Sequence, residues 1–189
     1  MNTDALGRPV LMTERLRLRA LEMSDCARVT ELAGDKRIYD MTLLIPHPYS
    51  VQQAEDWIGS HAAHWARWRA DWTMNFAIRS KASNELMGVI GLVGVPRHKR
   101  AELGYWIGAP YWGSGFMTEA ARTVVEFAFE TLGANRLEAG VFEGNSGSMN
   151  VLRKAGFLEE GVHRQKFFKD GKFLDERMFA NLASGSRTS

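Results

Sequence analysis

Little in this chain invites redox or metal chemistry. Cys26 is the lone cysteine among 189 residues, so the chain has neither an internal disulfide nor a cysteine-rich metal site. Its five histidines include no His-Glu-x-x-His spacing, and no metal is expected. An excess of one charge is also missing. The 24 basic and 22 acidic residues leave a net charge of +2, too little to attract nucleic acid but no obstacle to an anionic ligand. No apolar run is long enough to span a bilayer, and the N-terminus does not read as a leader. The expectation is a cytoplasmic protein with no nucleic-acid or membrane partner. No repeat or interdomain linker interrupts the chain. Residues 1–183 read as one domain, since 45% hydrophobic content supplies a sizeable core. Residues 184–189, Ser-Gly-Ser-Arg-Thr-Ser, read as a disordered tail.

What is present centres on the stretch from Glu102 to Gly133. Glu102 to Ile107 alternates as a strand, with Leu103, Tyr105 and Ile107 on one side and Glu102, Gly104 and Trp106 on the other. Pro110 ends it, having no N–H for a ladder. Trp112-Gly113-Ser114-Gly115-Phe116-Met117 then turns into a helix whose Glu119, Arg122, Glu126 and Glu130 share one polar face. Glycines at such a turn let backbone N–H groups converge on one point. The helix start adds unpaired N–H groups and partial positive charge. Together these suit a phosphate or pyrophosphate, although most such turns are only turns.

Around this unit the pattern is mixed α/β. Thr13 to Leu21 alternates as a half-buried strand with Arg15, Arg17 and Arg19 on a solvated side. Ser24 is positioned to cap a first helix running to Gly34, with Cys26 as core filler. Met41 to Tyr49 is a loop around Pro46-His47-Pro48. Ser50 and Gln53 form a capping box for a second helix running to about Arg69, with Trp57, Trp65 and Trp68 on one stripe. Trp72–Arg79 and Glu85–Val95 read as paired strands, Asn135–Phe142 as another. A short helix follows from Ser146, with Gly156 as its C′ residue. Asp170-Gly171 between alternating arms predicts a type I′ hairpin. The fold class is α/β with a mixed, mostly antiparallel sheet of about seven strands and about four helices.

Tyr-Trp-Gly-Ser-Gly-Phe-Met-Thr-Glu-Ala, followed by Asn-Ser-Gly-Ser-Met-Asn-Val-Leu-Arg-Lys-Ala-Gly-Phe, resembles the GNAT superfamily of acetyl-CoA-dependent N-acetyltransferases. Within it the chain looks most like the RimJ/RimL type, from about Thr13 to Leu182. The resemblance implies acetyl-CoA as co-substrate. It implies pyrophosphate donors at Gly113, Ser114, Gly115, Phe116 and Met117, with Thr118 as a further hydroxyl donor. Trp112 stands where the superfamily has Gln or Arg, and Met117 where it has a small residue. Asn145 and Ser148 match the second motif, beside the pantetheine arm, though both positions also suit helix capping. Many members carry a tyrosine where this chain has Leu152. The RimL-like branch suggests Ser148 as the substitute proton donor. Because GNAT folds splay the central strand from its neighbour, the oxyanion donor is expected at a main-chain N–H of Trp106, Ile107 or Gly108.

Acetyl transfer needs a neutral amine. About a tenth of a peptide α-amine is neutral at pH 7, against roughly 0.04% of a lysine, so deprotonation costs about 1.4 and about 4.6 kcal/mol respectively. Glu102 is the candidate base, directly or through water, with a surface carboxylate as the alternative; Glu138 and Glu143 are weaker candidates. The expected acceptor is a peptide or protein N-terminal α-amine. It would enter between the Pro46–Pro48 loop, the Trp57 helix and the C-terminal hairpin, with Tyr49, Trp57, Phe167 and Phe168 as gripping residues. The alternatives are a small-molecule amine, such as a polyamine, antibiotic or amino acid, and a non-catalytic acyl-CoA-binding module. Assembly as a homodimer stays open.

Overall fold

The structure, a computed structural model, describes residues 2–183; the polar tail at 184–189 lies outside the described residues. The strands are β1 (Asn2–Thr3), β2 (Pro9–Met12), β3 (Leu16–Ala20), β4 (Met74–Ser80), β5 (Leu86–Val95), β6 (Arg100–Ile107), β7 (Arg136–Phe142), β8 (Leu158–Lys169) and β9 (Lys172–Leu182). They form one sheet in the order β1-β2-β3-β4-β5-β6-β7-β9-β8. The helices are α1 (Cys26–Ala33), α2 (Lys36–Asp40), α3 (Val51–Ser60), α4 (Ala62–Ala66), α5 (Trp68–Asp71), α6 (Phe116–Phe127) and α7 (Ser146–Lys154).

The α/β class is as expected, but the counts are not: among the described residues there are nine strands and seven α-helical segments, not about seven and about four. Strands β1 and β2 are two and four residues long, too short to show alternation. The expected tryptophan helix is broken at His61 and at Arg67 into α3, α4 and α5. The break follows from packing. Trp57 packs against the core on one face of the sheet, while Trp65 and Trp68 are buried in the core on the other, and one straight helix cannot serve both. Ser24 is not the cap expected of it. Glu22 and Asp25 form a capping box around the turn Met23–Asp25, and buried Asp25 pairs with Arg79.

Each strand's alternation divides its side chains between two cores. Leu16, Leu18, Phe76, Ile90, Leu103, Leu137 and Phe179 meet α6 and α7 through Val124, Phe127, Met149 and Leu152. On the opposite face Ala77, Leu86 and Val89 meet α1 and α3 through Val29, Leu32, Ala54 and Ile58. Cys26 is buried there as a core residue. Such burial is the main favourable term of folding. Asp170 and Gly171 both have positive φ, as a type I′ turn requires.

One feature of the sheet makes room for a site. Every neighbouring strand pair is antiparallel except β6 and β7, which run parallel. They pair only from Arg100–Glu102 to Arg136–Glu138. Beyond that point they separate, β6 continuing on β5 to Ile107 and β7 on β9 to Phe142.

Candidate active site

A cavity of about 580 Å³ fills this gap, within the usual size of a small-molecule site. Leu103 to Ile107 of β6 and Ala139 to Val141 of β7 form its walls, the glycine turn and the start of α6 one end, and Asn145 to Leu152 around α7 another side. Ile38, Met41 and Thr42 close it from α2 and the loop after it.

The glycine turn is built by its own residues. Gly113 and Gly115 have φ of 75° and 78°, the left-handed region that a side chain disfavours. Gly115 is the N-cap of α6, and no side chain caps that end. The first N–H groups of α6 therefore keep their capacity for an outside acceptor, and Gly113, Gly115, Phe116, Met117 and Thr118 line the cavity where they begin. Met117 sends its side chain into the core, at 5% exposure. Its departure from the small-residue pattern thus leaves the turn open. Ser114 does not line the cavity; its carbonyl accepts from Arg15 Nη1 at 3.1 Å. Arg15 also binds Glu119 of α6 at 2.7 Å and lies over the Phe116 ring at 4.4 Å. Expected to be merely solvated, Arg15 instead holds the turn against β3.

The strand edge supplies further groups. Gly108 N–H donates to Met87 O at 2.8 Å, so it is committed to β5 and leaves the expected oxyanion set. Alternation along an antiparallel strand points Trp106 N–H the same way and turns Ile107 N–H toward the gap. Trp112 is half exposed, and its indole N–H donates to Ile107 O at 2.7 Å.

Asn145 caps α7, its side chain accepting from Ser148 N–H at 3.0 Å, so the capping alternative describes its side chain. Ser148 has a different partner. Its Oγ lies 2.9 Å from the Tyr105 hydroxyl, which also lies 3.1 Å from Ser148 O. Both residues line the cavity. Burial drives the Tyr105 phenol well above its ordinary value, with the Ser148 hydrogen bond opposing, so Tyr105 keeps its proton at neutral pH. Sequence patterns gave no signal for Tyr105 beyond its place in the alternation.

Glu102 is exposed and lies outside the cavity lining, at the point where β6 and β7 part. It shares the face of Gly104 and Trp106, opposite α6 and α7. Glu138 on that face is bound by Arg100 and Arg136 at 2.7 and 2.8 Å. Partial burial pushes its carboxyl up, but these two arginines outweigh it and hold the group below its usual range, which suits a structural ion pair better than a base. Glu143 is likewise paired, with Arg177 at 2.6 Å. Among the gripping residues, Tyr49 and Trp57 pack on the α1–α3 core. Phe167 meets Phe142 edge to face, and exposed Phe168 meets exposed Phe173 in a tilted contact at 5.1 Å.

An uncapped helix start behind two left-handed glycines, opening into a gap between parted parallel strands, has the geometry that suits a phosphate-bearing ligand with an extended arm. The model of the GNAT acetyltransferase domain matches residues 15–158, and the chain belongs to this family. It is 30% identical over 167 residues to the putative ribosomal N-acetyltransferase YdaF of Bacillus subtilis, covering 87% of this chain and 89% of that one. It is 26% identical over 171 residues to a spermidine N(1)-acetyltransferase of Vibrio cholerae, covering 89% and 94%. Among solved structures, RimL, a ribosomal L7/L12 alpha-N-protein acetyltransferase in complex with coenzyme A, superposes with a TM-score of 0.83 at 19% identity, covering 92% of this chain and 98% of that one. The protein is an acetyl-CoA-dependent N-acetyltransferase. Among the described residues no helix is long and apolar enough to cross a membrane.

Proposed function

We propose that the acceptor is a primary amine carrying one positive charge, preferably the α-amine of a peptide or protein, acetylated by direct attack in a ternary complex. The observation that carries this reading is the state of the carboxylates on the acceptor face. Glu138 is neutralised by Arg100 and Arg136, and Lys166 takes one oxygen of Glu176, leaving only its Oε1 clear of that lysine. A polyamine would need several carboxylates free of such partners, whereas a monocation needs one. The exposed Phe168 and Phe173 on the hairpin offer apolar contact to a peptide's first side chains.

The residues divide the work. The N–H groups at Gly113, Gly115, Phe116, Met117 and Thr118 bind the pyrophosphate of acetyl-CoA, which supplies the acetyl group as a thioester. Ile107 N–H faces the carbonyl oxygen as charge develops there. Tyr105 donates to Ser148 O and holds Ser148 Oγ at 2.9 Å, which places the serine hydroxyl at the gap, where its proton goes to the leaving sulfur. Glu102 takes the amine's proton, directly or through water. Asn145 fixes the start of α7 and thereby places Ser148.

The test is kcat/KM for one amino acid presented as its amide, as the first residue of a dipeptide and of a hexapeptide, beside spermidine. The proposal predicts a rise with peptide length, since remote contacts are used in the transition state. Flat values with rapid turnover of spermidine would replace it with the small-amine reading.

A further inference from the structure

Glu176 is a buried carboxylate at 7% exposure to which the steps above give no role. It sits on β9, level with Phe142 of β7 on one side and His163 of β8 on the other. Lys166 Nζ pairs with Glu176 Oε2, and His163 Nδ1 stands 3.4 Å from the same oxygen. That oxygen faces the edge strand. The other, Oε1, lies over Gly140, where an added Cβ would overlap it.

Gly140 matters because of what stands opposite. Glu102 and Glu138 are the last paired residues of β6 and β7. Two residues further on, Gly104 and Gly140 lie level with each other and on the same face. Both are exposed and both line the cavity. Gly104 has nothing within 4 Å of where a Cβ would be. The parted strands therefore carry a window without side chains, opening the cavity on the face away from α6 and α7. Glu176 Oε1 overhangs its rim.

We propose that Glu176 anchors the ammonium group of the acceptor at this window. The inference deepens the reading above and rests on it, since it needs an amine to approach from this face. A carboxylate oxygen beside a cation gives a charge-assisted hydrogen bond. Lys166 on the other oxygen draws off part of the carboxylate's charge. The acceptor is thus collected as a cation without being locked in that form, because a nearby opposite charge favours the charged amine. The proton is left to Glu102 on the same face.

This division predicts opposite effects from the two partners of one ion pair. With the amine most rapidly acetylated in the series above, Glu176→Gln should raise the acceptor KM about tenfold or more, as expected for losing a hydrogen bond to a charged group. The KM for acetyl-CoA should stay within about twofold. Lys166→Met should lower the acceptor KM and also lower kcat, because the ammonium is then held too firmly. An unchanged acceptor KM in folded Glu176→Gln overturns the proposal. So does a rise in acceptor KM for both variants, which a merely structural ion pair would give. If Glu176→Gln does not fold, Lys166→Met decides alone, and an acceptor KM that is unchanged or raised counts against the anchor. The peptide reading fails separately, through a flat length series in the parent enzyme, since whichever amine is turned over still probes Glu176.

Discussion

At the scale of single residues, the proposed proton delivery depends on a hydroxyl pair. Leu152 is fully buried in the core and offers no proton, whereas Tyr105 and Ser148 meet across the cavity at 2.9 Å. Positioned acid catalysis is worth about 10²- to 10⁴-fold. Ser148→Ala should therefore lower kcat about 100-fold with little change in acetyl-CoA affinity. Tyr105→Phe keeps the ring's packing and loses the hydroxyl's contacts with Ser148 O and Oγ, of which only the one to Oγ bears on proton delivery, so its loss should be about tenfold, near the worth of one hydrogen bond. Thiol release under saturating substrates measures both, and turnover equal to the parent's in both variants would reduce the pair to a packing contact. Ser148 was legible in the sequence because it falls in a motif. Tyr105 was not, because its partner lies 43 positions away and only the fold brings them together.

At the scale of elements, the glycine turn and α6 form the unit proposed to receive phosphate. Their reading as a turn into a helix held because the signals are local: two glycines, a strand that stops, and a helical stripe. Gly115→Val tests the unit. Little stands near the added side chain, the closest atom being Arg15 Nη2 at 3.6 Å from a Cβ. The penalties are the left-handed φ of 78°, about 1–2 kcal/mol, and a branched side chain where the phosphate approaches. Calorimetry should show coenzyme A affinity reduced at least about tenfold in a variant that still folds. Unchanged affinity would place the pyrophosphate elsewhere. Elements set by distant partners were harder to read. The break of the tryptophan helix depends on which face of the sheet each ring meets. The clasp of Arg15 on Glu119 joins residues 104 positions apart. In both cases the local pattern fits another structure equally well.

At the scale of the whole molecule, the parting of β6 from β7 gives the protein two working sides. The turn, α6 and α7 bring the proposed phosphate site, Tyr105 and Ser148 to one side. Gly104, Gly140, Glu102 and Glu176 open the other. The chain's only cysteine, Cys26, is buried in the α1–α3 core; burial, with the charges of Glu55 and Asp25, raises its thiol above the ordinary value, which disfavours a covalent acetyl carrier there. In the proposed mechanism, two substrates meet through one gap and are present together. Initial velocities measured while acetyl-CoA and a hexapeptide acceptor are varied against each other test this central claim most directly. Double-reciprocal lines that intersect are the predicted result, whereas parallel lines, the fingerprint of an acetylated enzyme releasing its first product early, would contradict it.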